Sequence, residues 1–145
     1  MRVEPAVLTA ALGLLVALGA SACAPRATMD APIVTQPQAG ARVTSPLRVE
    51  GTAPGPWFFE AVFPAALVVD GRVVAEAPAQ AQSDWMTEGR VPFLAELTFE
   101  TSREQRAELV LTEDMPRHDA QGEELPLREI RIPLVLAPTH AEAGR

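Results

Sequence analysis

Between residues 66 and 75 the chain reads ALVVDGRVVA, and no other stretch limits its fold so tightly. Asp70-Gly71 joins two runs rich in β-branched residues. A two-residue type I′ turn needs two positions that tolerate positive φ, and Asp-Gly supplies them. An antiparallel hairpin is therefore predicted here. The remaining strands are legible from period-two alternation. In PLRVEG, residues 46–51, Leu47 and Val49 fall on one face and Arg48 and Glu50 on the other. In FLAELTF, residues 93–99, Phe93, Ala95, Leu97 and Phe99 share a side. Residues 33–35, 107–112 and 129–136 read as further strands, QPQAG as a turn, and APGP, residues 53–56, as a loop. Arg103 to Glu108 offers one helical turn at most, and no stretch outside the N-terminal segment sustains an apolar repeat of 3.6 residues. About seven short strands punctuated by Gly and Pro are the pattern of an all-β, immunoglobulin-like β-sandwich, here without the Cys-Trp-Cys signature of antibody domains.

The richest apolar stretch is GPWFFEAVFP, residues 55–64. On one strand over residues 57–63, Trp57, Phe59, Ala61 and Phe63 would form the core face, and Phe58, Glu60 and Val62 the other, with Pro64 breaking the run. Aromatic side chains bury about 150–250 Å² each, so this cluster is the expected packing centre. Glu60 beside Phe58 reads either as a solvated acid or as the partner of Arg90 or Arg48. Glycoside chemistry would need a second carboxylate at a controlled separation. Asp84 is the nearest in sequence, and no spacing supports the pair.

A chain of 145 residues fits one domain with terminal extras. A net charge of −7 offers no basic footprint for nucleic acid. His118 and His140 lack transition-metal spacing, and the acidic loop TEDMPRHDAQGEE, holding Glu113, Asp114, Asp119, Glu123 and Glu124, lacks the order of an EF-hand. No phosphate-binding glycine loop or G-x-S-x-G elbow occurs in the sequence. The expectation is a noncatalytic protein with no metal and no cofactor.

Residues 1–22 read as a secretory signal: Arg2, an apolar run from Ala6 to Ala20, then small residues. Cys23 follows directly and is the only cysteine, so it has no intramolecular disulfide partner. Ala20-Ser21-Ala22 suits ordinary signal peptidase, whereas small residues before a Cys resemble a lipobox. A lone Cys at this point is best explained as a lipid attachment site, which makes the chain an exported lipoprotein of the cell or outer membrane, facing the periplasm or cell surface. Residues 23–31 read as the anchored linker and residues 137–145 as a flexible tail.

The segments GPWFFEAVFP and LVVDGRVVAEAPAQAQSDWMTEGRVPFLAELTF, with VTSPLRVEGTA before them, resemble the Gmad2 family, the immunoglobulin-like domain of bacterial spore germination proteins. The resemblance spans about residues 32–136 and is loosest from Glu113 onward. It implies an extracytoplasmic, noncatalytic module, often accompanied by a second domain called GerMN. Two functions follow as expectations. One is an interaction module docking an envelope protein in germination or envelope assembly. The other is a carbohydrate or peptidoglycan binder that stacks sugars on exposed indoles. Trp57, Phe58, Glu60, Asp84 and Trp85 are the candidate binding surface.

Overall fold

The computed structural model describes residues 30–140. The signal segment, Cys23, most of the linker and the last five residues of the tail lie outside the described residues. The strands are β1 (Ile33–Gln36), β2 (Arg42–Val43), β3 (Leu47–Pro54), β4 (Val62–Val69), β5 (Arg72–Ala81), β6 (Arg90–Leu97), β7 (Gln105–Thr112), β8 (Arg117–His118), β9 (Glu124–Leu125) and β10 (Glu129–Leu136). Seven have four residues or more, and β2, β8 and β9 have two each. One short 3-10 turn, Gly55–Trp57, follows β3.

Eight strands hydrogen-bond in the order β1-β3-β6-β5-β4-β7-β10-β2, while β8 and β9 form a separate small hairpin. The sheet curls into two layers because β5 belongs to both. It pairs with β4 along its length, and only its last two residues, Gln80 and Ala81, reach Leu94 and Phe93 of β6. The N-terminal segment closes both margins: β1 lies antiparallel to β3, and β2 then lies parallel to β10. Covering an outer strand in this way removes a row of unpaired backbone groups. Among the described residues no helix is long and apolar enough to cross a membrane.

The hairpin forms as its sequence demands, with Asp70 at φ 49° and Gly71 at φ 76°. One residue of β5 bulges beside it, since Leu67 faces Ala75 but Val68 faces Val73, leaving Val74 unmatched. Alternation also holds in β3 and β6, where Leu47, Val49, Phe93, Ala95 and Leu97 are buried, as is Phe99 beyond β6. Pro64 does not break β4. The Ala81 N–H donates to the Ala61 carbonyl, so odd-numbered residues of β4 form the hydrogen-bonded pairs. Pro64 therefore faces Pro78 in a non-hydrogen-bonded pair, where neither ring removes a bond of the β4–β5 ladder. Residues 53 and 54 extend β3 rather than forming a loop, and residues 105–108 are already strand, with no helical turn.

The aromatic stretch departs from the single strand expected of it. After Trp57 the Phe58 N–H caps the 3-10 turn through the Gly55 carbonyl. Phe59 and Val62 then exchange both backbone hydrogen bonds, closing a two-residue turn at Glu60 and Ala61 with φ of 48° and 69°. This turn resets the alternation. Phe58 goes into the core, and Phe59 stands in solvent, 47% exposed. The expectation of Phe59 in the core and Phe58 outside is thus reversed, while Phe63 and Trp57 are buried as expected. Phe63 is the hub: its ring meets Trp57 at 6.0 Å, Phe58 at 5.0 Å and Phe93 of the opposite layer at 5.0 Å, all edge to face. Each such pair adds about 0.5–1.5 kcal/mol beyond the area it buries.

Candidate functional site

The ladder registers place three loops at one end of the sandwich: residues 55–61, 82–89 and 113–128. The start of β1 lies there too, so the chain enters the domain at this end. The first two loops are locked together at Gly55, whose N–H donates to the Gly89 carbonyl at 3.0 Å. A Cβ on Gly55 would lie 1.8 Å from the Thr87 carbonyl oxygen and 2.6 Å from that of Trp85, so only glycine admits this approach. The third loop joins the first through the Asp114 N–H, which donates to the Trp57 carbonyl at 3.0 Å.

Glu113 is the electrostatic centre of this end. Its carboxylate is buried and accepts from Arg117 Nε at 2.9 Å, the Arg128 backbone N–H at 2.7 Å and Arg128 Nε at 2.8 Å. Burial alone would push its pKa up; the donors from Arg117 and Arg128 outweigh that and hold it below the ordinary carboxylate value. Arg128 also places its guanidinium over the Trp57 ring, 5.5 Å from the centroid, and reaches the Asp30 carbonyl at 3.2 Å. The Trp57 indole N–H donates to that same carbonyl at 2.7 Å. One network thus ties the entering chain, the aromatic core and the 113–128 loop together. Both Glu113 oxygens are engaged by arginine, which leaves it unsuited to hold a metal. Among the described residues no group of three or more His, Cys, Asp and Glu could do so.

The sequence-derived surface residues divide. Trp57 and Phe58 are fully buried and present no face to a ligand. Trp85 is half-buried and packs against the core. Asp84 is exposed, its Oδ1 accepting the Met86 N–H at 3.0 Å. Glu60 is exposed at its turn. The arginines named as its partners are engaged elsewhere: Arg48 pairs with Glu50, and Arg90 donates to Thr52 and to the Ala31 carbonyl.

Sequence reasoning missed two features. The first is Glu113, which sits in an acidic run and whose partner Arg128 is fifteen positions away, so that only the i,i+4 spacing to Arg117 hinted at a pair. The second is the open side of β5. From Arg72 to Pro78 it pairs with β4 alone among the described residues. Val73 and Val74 stand on it 59% and 43% exposed. By ladder alternation from the Ala61–Ala81 pair the backbone groups of Glu76 point to that open side, while the bulge at Val74 interrupts the alternation.

Two curled layers over one aromatic core, with connecting loops gathered at the ends, define an immunoglobulin-like domain. The family model Gmad2, described as the immunoglobulin-like domain of bacterial spore germination, matches residues 33–120. That is more than half of the chain, and the chain belongs to this family. No curated protein and no solved structure matches it.

Proposed function

We propose that this protein is a noncatalytic, exported lipoprotein, held in the cell envelope by acylated Cys23, whose immunoglobulin-like domain docks a protein partner in spore germination or envelope assembly. The observation that carries this reading is the open side of β5. Its exposed Val73 and Val74, and an edge that from Arg72 to Pro78 pairs with β4 alone among the described residues, suit an extended segment of the partner, which would add to the sheet as one more strand. Pro78, which has no N–H, limits the usable stretch to residues 72–77. The noncatalytic part draws support from Glu113, a buried carboxylate with both oxygens committed to arginine. Sugar stacking draws little, because the Trp57 indole is enclosed and Trp85 leans on the core.

The test is affinity capture from detergent-solubilised membranes using the full chain beside Val73→Asp/Val74→Asp. Because both side chains are exposed, the variant should keep the fold, which its melting temperature checks on the same sample. The expected result is a protein captured by the native chain and lost with the variant. Capture of a glycan polymer, or of a protein indifferent to the two substitutions, contradicts the reading.

A further inference from the structure

Among the described residues the large hydrophobic side chains left in solvent are unevenly placed. Phe59, Met86 and Leu127, the last two 76% and 48% exposed, sit one on each of the three loops at the end where the chain enters. Met86 lines a shallow depression of about 360 Å³ together with Pro56, Trp85 and Met115, and with Thr87 and Glu88. The opposite end, with the Asp70-Gly71 turn, carries Val73 and Val74 instead.

Chain length decides which end meets the bilayer. Six residues, 24–29, separate Cys23 from Asp30. Fully extended, seven Cα–Cα steps reach about 25 Å at most. An eight-residue strand such as β3 is itself about 26 Å long. An anchor at Cys23 therefore keeps the three-loop end within about 25 Å of the membrane, and the β4–β5 turn could reach it only with the linker stretched back along the domain.

We propose that this loop end is a lipid-contacting surface, with Phe59, Met86 and Leu127 entering the interfacial layer of the membrane that holds the Cys23 acyl chains. The inference rests on the lipoprotein reading above and extends it. The acyl chains hold the protein at the membrane, and the apolar contact orients the loop end against it. Exposed acids at the same end, Glu60, Asp84 and Glu88, repel anionic headgroups, so the surface suits a zwitterionic lipid. The open side of β5 is left facing outward for its protein partner.

Native tryptophan emission reports the contact, because Trp85 adjoins Met86 while Trp57 is enclosed. The acylated chain, extracted from membranes, is reconstituted into phosphatidylcholine vesicles with brominated acyl chains, and a Trp85→Phe chain isolates the Trp85 contribution. The expected result is loss of most Trp85 emission in brominated vesicles. The loss should weaken in an equal mixture with phosphatidylglycerol carrying the same brominated chains, and should be abolished by Phe59→Ser/Met86→Ser/Leu127→Ser at an unchanged melting temperature. Intact mass and vesicle flotation are read on the same sample. An acylated chain that floats with Trp85 unquenched, or with quenching indifferent to the triple substitution, overturns the lipid contact alone. An unmodified Cys23 in a chain that does not float overturns the anchor, and the lipid contact with it.

Discussion

Replacing Glu113 with Gln keeps the shape of the side chain and removes its charge from the point where two arginines converge. Three donors meet the carboxylate, two of them guanidinium groups. A hydrogen bond to a charged group contributes about 1.5–3 kcal/mol, and removing one partner of a fully buried pair costs about 3–5 kcal/mol. The Arg117 and Arg128 side chains keep 33% exposure, so water takes up part of their solvation, and the Gln carbonyl still accepts from the Arg128 backbone N–H. The expected cost at neutral pH is therefore about 2–3 kcal/mol, a fall in melting temperature of roughly 8–15 °C for a domain of this size. The pH dependence has a definite sign. Because the folded pKa lies below the ordinary 4.5, the carboxylate's contribution is fully present above that value and is lost as pH falls through the folded pKa. The gap between native chain and Glu113→Gln should narrow in acid. Urea unfolding followed by circular dichroism at several pH values measures it. A neutral-pH difference under about 0.5 kcal/mol, the usual scale for surface substitutions, or a gap that stays constant into acid, would refute the reasoning.

Other substitutions test other joints of the fold. Phe58→Ala and Phe63→Ala should each cost about 3–5 kcal/mol in chemical denaturation, whereas Phe59→Ser should change stability by less than about 0.5 kcal/mol. Ala61→Gly should be stabilising by about 0.5–1 kcal/mol in the same assay, because Ala61 holds a φ of 69° that glycine adopts without strain. Gly55→Ala should raise amide exchange through residues 82–89, since the added Cβ meets the Thr87 carbonyl; unchanged exchange there would remove the claim of close approach.

The β4–β5 hairpin and β6 were open to sequence reading because each carries a strong local signal, Asp-Gly between β-branched runs in one and four apolar side chains on alternate positions in the other. The exchange of Phe58 and Phe59 was not, because a left-handed turn at Glu60-Ala61 contains no Gly or Asn to announce it. Two-residue strands such as β2 and β8 are shorter than any alternation that could mark them. Glu113 lay hidden among neighbouring acids, since its partners are fixed by how the 113–128 loop folds back. The open side of β5 is a property of the curled sheet, decided by which strand stops pairing with β6, and no local pattern in EAPAQA encodes it.

A photoreactive amino acid placed in turn at positions 74 and 86 of the membrane-anchored chain tests the orientation and both surfaces together. Position 74 should crosslink to protein and position 86 to lipid. Protein adducts at 86 with none at 74, or lipid adducts at 74, would contradict the account.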